Sequence, residues 1–149
     1  MTIIALAVLA LDLVTKIWAL AVLENREPVR LLGGTLYMSL TRNTGAAFSM
    51  ASGYTALLTL ISAVVVIVII RFASRLRSVP WGVSLGLILG GALGNLIDRV
   101  LRDGEGLLGG RVVDMVDLQW WPVFNLADAA LWVGVGVLLL ASRPPATDG

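Results

Sequence analysis

The 149-residue chain contains no cysteine and no histidine. Disulfides, thiolate nucleophiles, thiolate or imidazole metal sites and any Ser-His-Asp triad are therefore excluded. Charge is also scarce: Asp, Glu, Lys and Arg make up 14% of the residues, against about 25% in soluble domains. The formal net charge is +1, which gives no bulk electrostatic reason to bind nucleic acid. Lysine occurs once, as Lys16. Any chemistry falls to Asp, Glu, Lys, Ser, Thr or Tyr, with no metal or cofactor expected.

Apolar residues fill the gap, at 58% of the chain and a mean hydropathy of +0.90. This predicts an α-helical membrane protein, since about 20 apolar residues cross the hydrocarbon core as a helix. The N-terminal MTIIALAVLALDLVTKIWALAVL lacks the basic start and small-residue cleavage site of a secretory signal peptide, so it reads as a retained membrane helix. No charge interrupts the stretch from Arg42 to Arg71, nor that from Arg77 to Asp98. Four transmembrane helices are expected, at about 2–23, 54–72, 80–98 and 123–142. They form a single domain over 1–142, followed by a cytoplasmic tail at 143–149 in which PPATDG is disordered.

Lys and Arg in short loops set orientation. RFASRLRSVP, between spans two and three, holds Arg71, Arg75 and Arg77 and no acid, so it should be cytoplasmic. Both termini then lie in the cytoplasm, and Arg143 after span four agrees. Loops 24–53 and 98–122 face outward. The first contains LLGGTLYMSLTRNTGAAFS, with a Gly-Gly turn and alternation in TLYMSLT, which predicts a small extracytoplasmic β-sheet. The second has a flexible DGEGLLGG piece and then RVVDMVDLQWW, whose aromatics suit the interface.

A charge at bilayer depth costs at least about 2.5–3.5 kcal/mol, so it faces protein, water or a partner. Asp12 and Lys16 are four apart on one helical face and can pair as scaffold. Asn95, Asp98 and Arg99 close span three, after small residues that allow close helix approach. Asp128 lies about six residues into span four, roughly 8 Å deep, with Asn125 on the same face. Asp114 or Asp117, just before that span, could lie at the same depth. Two close carboxylates do not both ionise easily; one keeps a proton and the other acts as base, which activates water without metal, His or Cys. Composition alone leaves Asp114 and Asp117 open. It also leaves open a proton-coupled carrier, a Ser-Lys peptidase using Lys16 with Ser39 or Ser49, and a non-enzymatic assembly factor.

Five segments in order, DLVTK (12–16), RNTGAAFS (42–49), GGALGNLIDR (90–99), VVDMVD (112–117) and FNLAD (124–128), resemble the lipoprotein signal peptidase (signal peptidase II) family. The resemblance implies a membrane aspartyl endopeptidase. Such an enzyme removes the signal peptide of diacylglyceryl-modified prolipoproteins by cutting before the lipidated cysteine. It places the catalytic pair on Asp114 and Asp128, and supporting polar roles on Asp12, Lys16, Asn43, Asn95, Asp98, Arg99 and Asn125. Gly45 is expected to permit close backbone approach. A β-sheet cradle and a short amphipathic helix at the bilayer surface are also implied. So is a bacterial cytoplasmic-membrane location, and contact with membrane lipids, an active site near the extracytoplasmic face and a monomer are expected beside it.

Overall fold

The computed structural model describes residues 1–45, 53–75, 78–104 and 108–143. Ser49 and the rest of RNTGAAFS beyond Gly45, Arg77, the centre of DGEGLLGG and the PPATDG tail lie outside the described residues.

The first helix, α1 (Thr2–Leu23), has its polarity inside out. Its buried positions include Asp12 and Lys16, both fully buried, at the three- and four-residue steps of one helical face. Its opposite face exposes Ile3, Leu6, Leu11, Val14 and Ile17, each by more than half. Water would favour the reverse; charges inside and aliphatics outside are stable where the surrounding solvent is hydrocarbon. Helix α2 (Gly53–Phe72) is apolar throughout, and α3 (Val79–Leu101) follows a short 3-10 turn. By length and composition α1, α2 and α3 can each cross a membrane. Helix α4 (Leu126–Ala141) is apolar but has 16 residues.

Helix α3 is the axis of the bundle and packs against each of the other three. Its small residues allow this. A methyl group on Gly91 would overlap the backbone of α4 at Ala127, and one on Gly94 would overlap the Asp12 carboxylate of α1. Backbones this close bring the polar atoms of three helices within hydrogen-bond reach. Ser84, on the same helix, donates to the Gly134 carbonyl of α4 at 2.8 Å.

A three-stranded antiparallel sheet, ordered β1 (Val29–Leu31), β2 (Leu36–Asn43), β3 (Val112–Asp117), covers one end of the bundle. Thr41 pairs with Asp114, Arg42 with Val113 and Asn43 with Val112, beyond an irregularity between Met38 and Thr41. Val113 and Met115 pack on Ala19 and Leu23 of α1, which seats the sheet on the C-terminal end of that helix. The sheet in the first outer loop follows the TLYMSLT alternation. Its third strand departs from the expectation for VVDMVD, which placed that segment at the interface without a strand. Four consecutive residues there, Val112 to Met115, are buried. A strand covered on both faces loses the period-2 signal. Among the described residues, the helical structure between α1 and β2 is the 3-10 turn Leu32–Gly34.

Val116 bridges Phe124, which carries the chain alongside β3 into Asn125. Asn125 is extended (φ −125°, ψ −177°) and caps α4. The helix therefore starts at Leu126, and Asp128 lies in its first turn, whereas the apolar count starts the span at about 123 and sets Asp128 about six residues in.

Candidate active site

Asn125 lies at the centre of the site. Its side-chain oxygen accepts the Asp128 N–H at 2.9 Å, while an Asp128 carboxylate oxygen accepts the Asn125 N–H at 3.2 Å. This reciprocal capping box satisfies two free donors of the helix start. The other end of the same side chain, Nδ2, donates to Asp114 Oδ1 at 2.7 Å. One fully buried residue thus holds a carboxylate from β3 with its side chain and a carboxylate from α4 with its backbone N–H.

Each carboxylate has a second amide partner. Asn43 donates through Nδ2 to Asp114 Oδ2 at 2.9 Å. Its own oxygen accepts the Gly45 N–H at 2.7 Å, which fixes which way the amide faces. Gly45 holds φ at +84°, and a Cβ there would press on Leu58, so only glycine suits the turn that aims Asn43. Asn95 of α3 donates to Asp128 Oδ1 at 2.7 Å and accepts from Asn125 at 3.1 Å. Asp114 is fully buried. Burial pushes its carboxyl up to about 7; the Asp128 charge adds to the rise, and the hydrogen bonds from Asn43 and Asn125 oppose it.

Beneath this pair is a charged floor. Lys16 reaches Asp12 at 2.7 Å, Asp98 at 2.9 Å, Asn95 Oδ1 at 3.1 Å and the Gly94 carbonyl at 3.3 Å. An ammonium has three N–H donors, and four acceptors already surround this one. Asp12 also accepts the Ala127 N–H at the start of α4, at 3.0 Å. Asp98 accepts the Val113 N–H of β3 at 3.2 Å and pairs with Arg102. The floor ties α1, α3, α4 and β3 into one frame. Asp98 engages these partners, and Arg99 is not among them. Arg99 lies within electrostatic reach of Asp98, Asp114 and Asp128, and its buried Nε has no hydrogen-bond partner among the described residues.

Asp117 stands apart. It differs from Asp114 by three residues, an odd step that turns it to the other face of the strand, and both its oxygens are taken by Gln119 at 2.7 and 2.9 Å. Among the described residues no group of three or more Asp, Glu, His or Cys is placed to hold a metal.

The family model for signal peptidase (SPase) II matches residues 4–143. The chain belongs to the signal peptidase II family. It is similar to the lipoprotein signal peptidases of Rhodococcus jostii (51% identical over 93% of this chain and 69% of that protein) and Mycobacterium avium (52%, over 92% and 74%). A solved structure described as a bacterial membrane enzyme superposes with a TM-score of 0.82 at 29% identity, covering 97% of this chain and 92% of the other. As a signal peptidase II family member the chain is a membrane protease of the aspartic type, on the helical fold with a small sheet that the sequence predicted.

In this signal peptidase II chain, Asp12, Lys16, Asn43, Gly45, Asn95, Asp98, Arg99, Asp114, Asn125 and Asp128 lie in this site or its floor, and Asp117 does not. Arg102 was missed. Its pairing with Asp98 is an i, i+4 helical spacing that was legible in DRVLR. The Asp98 bond to the Val113 backbone was not legible, because it depends on where β3 docks.

Proposed function

We propose that Asp114 and Asp128 are the catalytic pair of an endopeptidase that removes signal peptides from diacylglyceryl-modified prolipoproteins, cutting before the lipidated cysteine. The observation that carries this is Asn125, which donates to the Asp114 carboxylate through its side-chain Nδ2 and to the Asp128 carboxylate through its backbone N–H. Asp128 takes a proton from water, and the resulting hydroxide attacks the scissile carbonyl carbon. Asp114, protonated, hydrogen-bonds the developing oxyanion. The tetrahedral species then collapses with cleavage of the C–N bond, and the leaving amine takes a proton from the pair. The free donor of Arg99 is placed to hold a substrate carbonyl. Asn43, Asn95 and Asn125 fix the carboxylates, Gly45 lets the backbone of β2 turn close to them, and Asp12, Lys16 and Asp98 hold the frame.

The carboxylates lie at the bundle end that carries the sheet, the C-termini of α1 and α3 and the N-terminus of α4. Arg71 and Arg143 lie at the other end. The positive-inside rule supports cytoplasmic termini and an active site near the extracytoplasmic face of a bacterial cytoplasmic membrane. In this reading α4 is the fourth span of one domain over 1–142, surrounded by lipid and acting as a monomer. A Ser-Lys mechanism is disfavoured, because all donors of Lys16 are engaged and Ser39 is not among its hydrogen-bond partners in the described residues.

The test is cleavage of a prolipoprotein with and without the diacylglyceryl group. The lipidated form is expected to be cut and the unlipidated form left intact; equal cutting would remove the lipid from the recognition. The acid form of Asp114 is the working form, so kcat/KM should fall as pH rises through about 7. A profile flat to pH 9 would contradict that role.

A further inference from the structure

Behind the catalytic strands lies a cavity of about 630 Å³ lined by Arg42, Arg102 and Arg111. Arg42 and Val113 are register partners on β2 and β3, so they share one face of the sheet, while Asn43 and Asp114, one step along each strand, share the other. The cavity is thus a separate space from the carboxylate site, with the sheet between them.

Its chemistry is amphipathic. Leu20, in the last turn of α1, and Leu101, the last residue of α3, supply apolar wall at the ends of two apolar spans. That is the level at which hydrocarbon gives way to headgroups. The arginines stand at the same level. Glu24 takes one Nη of Arg42, and Asp98 takes the Nε of Arg102. Each guanidinium has five N–H donors in a fork that matches phosphate, so both keep free donors. Arg111 is exposed and has no ion pair or side-chain hydrogen bond among the described residues. Among the described lining residues Asp103 is the acid, set against three arginines.

We infer that this cavity binds one anionic phospholipid, with the phosphodiester on Arg42, Arg102 and Arg111 and the acyl chains leaving along Leu20 and Leu101. Three arginines line one cavity, which favours an anion, and the apolar wall at the span ends selects a lipid over free phosphate. A bound headgroup would brace the strand pair that carries Asn43 and Asp114 from behind.

The test is native mass spectrometry of the full chain in mild detergent, titrated with phosphatidylglycerol or with phosphatidylcholine of the same acyl chains. Binding is read directly, so the result does not depend on cleavage. Wild type is expected to retain one phosphatidylglycerol with about tenfold or greater preference, at about fivefold per basic side chain near an anionic lipid. Arg111→Gln should lose about fivefold of that preference and Arg111→Glu all of it, while Arg143→Glu, at the opposite end of the bundle, should keep it. Equal retention of the two lipids, or an unchanged preference in Arg111→Glu, would overturn the inference. So would displacement of the lipid by millimolar inorganic phosphate or by an acidic peptide, which would assign the cavity to those ligands.

Discussion

Asp114→Asn is expected to reduce cleavage of a lipidated prolipoprotein by on the order of 10³-fold or more, while Asp117→Asn keeps activity near wild type. General acid–base groups contribute about 10²–10⁴-fold each, and groups acting as a unit fail together. Asp114 is buried and held by Asn43 and Asn125 on the Asp128 side of the strand. Asn at 114 keeps the shape and can still meet Asn125 through its oxygen, but it has no proton to release. Asp117 faces away and bonds only Gln119. The comparison is made with both variants purified and shown to unfold at temperatures close to wild type. Equal loss in the two would undo the pairing of Asp114 with Asp128.

Lys16→Met is expected to be the most destabilising of the single changes considered. It leaves Asp12 without a cation and Asp98 with Arg102 alone, both buried between helices. Removing one partner of a buried ion pair costs about 3–5 kcal/mol, a large share of the about 5–15 kcal/mol that holds a domain folded. The unfolding temperature in detergent should fall by roughly 10 °C. Replacing Asp12 by Leu at the same time should restore part of the loss, because an apolar pair of similar volume is tolerated where a lone charge is not. A Lys16→Met protein with wild-type stability and no activity would contradict the scaffold role and return Lys16 to the chemistry.

The apolar helices were legible because hydropathy reads composition, and a run of about 20 mostly apolar residues shows without knowledge of its neighbours. The Asp12–Lys16 contact was legible because helical spacing fixes it. The start of α4 was readable in principle: FNLAD carries a side-chain cap followed three residues later by a carboxylate, the pattern of a capping box. Counting apolar residues from Trp121 hides this and starts the helix too early. The choice between Asp114 and Asp117 could not be made from residue type, since both precede span four. It follows from strand parity once VVDMVD is known to be a strand, and burial on both faces concealed that strand. The use of Asp98 to anchor Val113 was hidden for a different reason. A backbone N–H leaves no mark in the sequence, and the docking of β3 on α1 is a tertiary event.

The central claim is that two aspartates, one from β3 and one from α4, cut a lipid-anchored polypeptide. The most direct measurement is mass-spectrometric product analysis of a diacylglyceryl-modified prolipoprotein incubated with wild type or with Asp128→Asn of matched stability. A single cut before the lipidated cysteine is expected with wild type and intact substrate with the variant. Equal cleavage by both would contradict it, leaving Asp128 as the cap of α4 and nothing more.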